Sequence, residues 1–96
     1  MDRIRDLRGL GARSEESLAL VGIRDVDDLR AIGPVMAFYR LRMRARERGD
    51  NLPSMNFLYA LVGALSDRSW QEVARSEREQ LIHELHSLEE MQRLFA

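Results

Sequence analysis

Two glycines flanking one apolar residue, just ahead of a helix start, can hold an anion with backbone alone. Leu7-Arg8-Gly9-Leu10-Gly11-Ala12-Arg13-Ser14 has this pattern. The glycines permit a turn with positive φ and leave no side chain between main chain and ligand. Amides after the turn point outward at the start of the next helix, where the dipole favours negative charge. Leu10 would plug the turn into the core, while Arg8, Arg13 and the Ser14 hydroxyl would reach a phosphate. Such a site reads no base, so the expected ligand is double-stranded DNA bound without sequence specificity. The same residues also suit a plain interhelical hairpin kept for packing or protein recognition. Glu15 and Glu16, close to the same helix start, weigh against an anion.

A second cationic feature is the run Arg40-Leu41-Arg42-Met43-Arg44-Ala45-Arg46-Glu47-Arg48. On a helix, Arg40, Arg44 and Arg48 share one face, with Arg42 and Arg46 roughly opposite. Cations at a helix C-terminus complement its dipole, so a solvated, dipole-matched end is one reading. An electropositive patch for phosphates or for an acidic partner is the other.

Other chemistry finds little support. His83 and His86 stand three apart, a spacing that can hold a metal, yet no third ligand is forced into place. No nucleophile–base–acid order, phosphate loop or carboxylate pair presents itself, so no enzyme, cofactor or metal is expected. Trp70 reads as a core or lid residue, or else as an anchor for a partner. Asn56 reads as a loop tie, with ligand binding as the alternative.

Composition sets the frame for these features. Ninety-six residues, 45% of them hydrophobic and 32% charged, make one soluble domain spanning 1–96. The absence of cysteine excludes disulfides, thiolate metal sites and cysteine nucleophiles. The longest apolar run without a charge, Leu52 to Ser66, is too short for a bilayer, and the N-terminus lacks the apolar core of a signal peptide. A cytoplasmic protein without membrane contact is expected. The net charge of −1 hides an asymmetry: residues 1–48 hold eleven arginines against eight acids, residues 49–96 four against eight. All fifteen cations are arginine, which reflects either genome composition or a use for planar guanidinium groups.

The periodicities are helical throughout. A short helix over about Asp2 to Arg8 turns Ile4, Leu7 and Leu10 inward. Ser14 caps a second, with Leu18, Leu20 and Val21 apolar and Gly22 as a left-handed end. Asp25 caps a third, with Asp28 in a near capping box, Val26, Leu29 and Ile32 inside and Gly33 at its end. Pro34 opens a fourth, to about Arg48, burying Val35, Phe38, Tyr39 and Leu41. Ser54 caps a fifth, Met55 to Leu65, apolar nearly all round and therefore central. Ser69 with Glu72 opens a one-turn helix, and Ser76 with Glu79 opens a long last one to about Phe95. Leu81, Leu85, Leu88 and Phe95 line a face of that helix, with Ile82, Met91 and Leu94 beside them. The expectation is an all-α, compact five- to six-helix domain of helix-hairpin-helix (SAM-like) type.

Together, "LRGLGARSEESLALVGIRDVDDLRAIGPVMAFYRL" and "MNFLYALVGALSDRSW" resemble the C-terminal domain of the TfoX/Sxy family, bacterial DNA-transformation (competence) regulators. The resemblance covers Leu7 to about Leu85 and marks Asn56, Ala60, Leu61, Gly63, Ala64, Leu65 and Trp70 as family positions, most of them buried. It implies a domain without catalytic activity, regulating competence genes alongside a transcription regulator of the cyclic-AMP receptor type. Full-length members carry an α/β domain ahead of this one, whereas Met1 here lies only a few residues ahead of the hairpin, so a stand-alone version is expected. The second functional expectation is a protein-interaction module, an adaptor or a weak self-associating dimer, using the cationic stripe or the exposed side of the last helix.

Overall fold

The computed structural model of the chain describes residues 3–95. A 3-10 turn at Ile4–Asp6 leads into α1 (Ala12–Ala19), α2 (Val26–Ile32), α3 (Pro34–Arg48), α4 (Met55–Ser66) and α5 (Trp70–Phe95). The described residues contain no strand. α4 is the hub: it packs chiefly against α5, and α3 packs against both. One cluster runs through all the elements, with Ile4, Leu10, Leu18, Ile23, Leu29, Phe38, Leu58, Leu61, Val73, Leu81 and Leu85 buried. Each fully buried side chain of this size contributes about 1.5–3 kcal/mol.

Local chemistry explains most boundaries. Asp25 Oδ1 accepts the Asp28 amide at 2.8 Å, fixing the start of α2. The returning Asp28 carboxylate takes the amide of Arg24, one residue ahead of the cap, at 3.0 Å. Pro34 occupies the first turn of α3, and Gly49 ends that helix in the left-handed region. The Asp50 amide then reaches back to the Ala45 carbonyl at 2.9 Å, which folds the following loop against α3.

Several expectations are corrected. The first helix is a three-residue turn: Leu7 is already extended, and Gly9 has φ +80°. Asp2, its expected start, lies outside the described residues. Ser14 does not cap α1, which begins three residues sooner with Gly11 at the cap. Leu20 is 62% exposed because α1 ends at Ala19 and the chain turns there, leaving Ile23 to enter the core instead.

The two expected C-terminal helices are one. Ser69 Oγ accepts the Glu72 amide at 3.2 Å and marks the start, whereas Ser76 Oγ donates to the Glu72 carbonyl at 2.8 Å. Such back-bonding is what a serine does inside a helix. Val73, fully buried, locks the first turn of α5 onto the core and removes any break. At the other end Met91, Leu94 and Phe95 are 54%, 71% and 84% exposed, so the inward face stops after Leu85 and half-buried Leu88. Asn56 is exposed and bonds no loop among the described residues, and Trp70 is 39% exposed rather than core.

Candidate functional site

The structure brings together two cationic features that are thirty residues apart in sequence. Arg13, Ser14 and Ser17 lie on one face of α1, at spacings of three and four, and Leu20 just past its end continues that face. Leu41, Arg44, Ala45 and Arg48 do the same on α3. The two faces, the loop through Asp50, Asn51 and Pro53, and the start of α4 at Ser54 and Phe57 enclose an open groove of about 600 Å³. Its floor is apolar, from Leu41, Ala45 and Phe57. Its rim carries three guanidinium groups.

The rim is electrostatically available. Arg48 Nε sits 3.2 Å from Asp50 Oδ2, an exposed pair of little energetic weight. Among the described residues no carboxylate lies within 4.0 Å of Arg13 or Arg44. Gly11, the cap of α1, has φ −137°, an extended conformation open to any residue, and a Cβ there would meet nothing within 4 Å. Among the described residues, no group accepts from the amides of Ala12, Arg13 and Ser14. The start of α1 therefore offers free donors beside Arg13.

Glu15 and Glu16 do not line this groove. Both face a separate one, with Arg3, Arg24 and Asp25. Glu15 is clamped there by Arg5 Nε at 2.9 Å and Arg3 Nη2 at 2.7 Å, and its second oxygen takes the Arg5 amide at 3.2 Å. The Arg5 hydrogen bond above all, with the Arg3 charge, pulls its pKa from 4.5 to about 2. Of the two acids that weigh against an anion in the sequence, Glu15 is thus paired, and both are turned away.

The remaining candidates are placed elsewhere. Leu10 is buried and plugs the turn into the core. Arg8 crosses to the α4–α5 turn, donating to the Asp67 carbonyl at 3.0 Å. Arg40 donates to the Val21 carbonyl at 3.2 Å, tying α3 to the turn after α1. Arg42, on the other side of α3, stacks 5.8 Å over the Phe38 ring and lies 3.7 Å from Glu89. Of the nine residues singled out in the sequence, Arg13, Ser14, Arg44 and Arg48 share the groove. Gly11 adjoins it as the α1 cap, and Gly9 shapes the turn before it. Sequence reasoning missed Ser17, Leu20, Leu41 and Phe57. The repeat of Arg13, Ser17 and Leu20 along α1 is the local signal that could have found the first two.

His83 and His86 are both exposed, and the described residues hold no cluster of three potential metal ligands. No described helix is long and apolar enough to cross a membrane.

Comparison with known proteins adds a lineage. The sequence model of the TfoX C-terminal domain matches residues 1–85. The DNA transformation protein TfoX of Haemophilus influenzae is 30% identical over 88 residues, covering 92% of this chain and 38% of that protein. The chain therefore spans about two fifths of the length of that relative. No solved structure matches it significantly.

Proposed function

Because the chain belongs to the TfoX C-terminal domain family, we propose that it is a non-enzymatic binding module of DNA-transformation regulation whose arginine-rimmed groove holds phosphates of duplex DNA. The observation that carries the reading is the convergence of Arg13, Arg44 and Arg48 with the free amides at the start of α1. Guanidinium groups bind phosphate oxygens through two parallel donors, and a helix start adds the favourable end of its dipole. Neither element addresses a base edge. The affinity is electrostatic and independent of sequence, and specificity at a promoter comes from a partner such as a transcription regulator of the cyclic-AMP receptor type.

The groove is local on a chain of net charge −1, so binding is weak. Fluorescence-anisotropy titration of a duplex against salt tests it. Contact with three phosphates gives a slope of about −2.7 in log affinity against log salt. Gly11→Glu and Arg44→Ala should each weaken binding, with circular dichroism unchanged, since both positions lie outside the buried core. Absence of binding at low salt refutes the reading.

A further inference from the structure

The groove has a feature that phosphates do not use. Its floor is apolar, and Leu20, at its edge, is 62% exposed. A phosphate backbone would leave that surface wet. A matching surface exists on the same chain: the end of α5 carries Met91, Leu94 and Phe95, exposed and spaced i, i+3, i+4, so they form one stripe. Glu84 lies on the line of that stripe two turns earlier, and Glu90 flanks it beside Leu94.

These two surfaces are complementary in charge as well as in character. The groove holds three arginines against Asp50, and the helix end from Glu84 to Phe95 holds exposed Glu84 and Glu90 against Arg93, its third glutamate, Glu89, being turned to Arg42 of α3. An amphipathic helix with apolar anchors at i, i+3 and i+4 is what a groove with an apolar floor and a cationic rim accepts. The helix end also lies beyond the stretch matched by the family domain, which stops at residue 85. Among the described residues, no other element covers the stripe.

We infer that the arginine-rimmed groove seats the end of α5 from a second copy of this chain, with Leu94 and Phe95 on the floor near Leu20, Leu41 and Phe57, and the glutamates toward Arg13 and Arg44. Groove and tip are different surfaces: two copies that exchange tips close a two-fold pair, whereas a one-way, head-to-tail contact runs on as a chain. The inference does not rest on the nucleic-acid reading. It adds a regulatory consequence to it, because tip and DNA compete for the same rim.

Sedimentation equilibrium of the whole chain without DNA tests the inference directly. The expected result is a concentration-dependent rise in mass at low salt, reduced as salt increases. Leu94→Asp and Phe95→Asp, both on exposed positions, and Leu20→Asp on the groove side should each weaken association about tenfold or more while helical content is unchanged. Arg44→Glu and Glu90→Arg should each be monomeric alone and associate when mixed, since mixing restores opposite charges across the contact. A wild-type chain that stays monomeric at its highest soluble concentration overturns the inference, as does association indifferent to the tip variants. The DNA reading is judged separately: Phe95→Asp should bind duplex at least as well as wild type, and if it binds none, the DNA reading fails while the self-association result stands.

Discussion

Gly63 and Arg68 close the end of α4 on each other. The Gly63 carbonyl accepts the Arg68 amide at 2.8 Å, and Asp67 between them is left-handed at φ +54°. This six-to-one bond is the Schellman arrangement, which satisfies a carbonyl that the helix end would otherwise orphan. A methyl group on Gly63 would overlap the carbonyl oxygen of Arg68. The glycine of the Leu-Val-Gly-Ala-Leu stretch is thus a matter of clearance, and the turn it allows aims Arg68 at Glu77 on α5.

Gly63→Ala should therefore destabilise the domain although alanine is the better helix former. The helix gain is about 1 kcal/mol, and relieving an overlap with backbone costs about 1–3 kcal/mol. A net loss of about 1 kcal/mol corresponds to a fall of about 4–8 °C in melting temperature for a domain of this size. Thermal denaturation by circular dichroism measures it, and an unchanged melting temperature would show that the turn relaxes freely.

Asp67 offers the opposite case. A left-handed residue with a Cβ carries a cost that glycine avoids, partly offset by the extra freedom glycine has when unfolded. The Asp67 carboxylate lies 3.9 Å from Arg8 and is largely exposed, so it contributes little. The firmer link, from the Arg8 guanidinium, goes to the Asp67 backbone carbonyl and survives any substitution. Asp67→Gly should raise stability by about 0.5 kcal/mol, read as a higher urea midpoint.

The helix ends show what the sequence makes legible. Where a stop signal is covalent, as with Gly33-Pro34 or Gly49, the boundary is readable because glycine and proline favour the backbone found there far more than other residues do. Hydroxyl signals are not of that kind. Ser69 and Ser76 stand in the same Ser-x-x-Glu pattern, and only the burial of Val73 decides that one caps and the other back-bonds. Small core residues escape for a related reason: Ala37 and Ala45 are buried in α3, yet alanine carries too little hydrophobic signal to mark an inner face. The groove was half legible. Arg13 and the Arg40–Arg48 run stand out as cations, but their meeting over Phe57 depends on how α1 packs on α3, which no local pattern encodes. Arg40 belongs with Arg44 by periodicity and is separated from it by the Val21 carbonyl, a tertiary partner.

Acid should find the fold's weak point at Glu15. Its ion pairs with Arg3 and Arg5 join the 3-10 turn to α1 and hold its pKa at about 2, below the ordinary 4.5. A lowered folded-state pKa means that the stabilisation is full above 4.5 and drains away as pH falls toward about 2. Urea midpoints across that window should decline, and Glu15→Gln should start lower at neutral pH and decline less. If both proteins show the same slope, other carboxylates govern acid unfolding.

The glycines of the first turn separate folding from binding. Gly9 has φ +80°, a region L residues rarely adopt, whereas Gly11 is extended. Gly9→Ala should therefore cost about 1–2 kcal/mol in backbone strain, while Gly11→Ala should be neutral or slightly stabilising through the unfolded state. Space does not distinguish them, since a Cβ at either position meets no atom within 4 Å. Gly11→Ala should also leave duplex binding intact, because a methyl group neither blocks nor repels a phosphate. Gly11→Glu, on the same unstrained backbone, places a carboxylate beside the α1 amides and competes for them. Comparing the alanine and glutamate variants in one salt titration isolates charge from shape. Equal binding by all three proteins would mean that the start of α1 touches no phosphate.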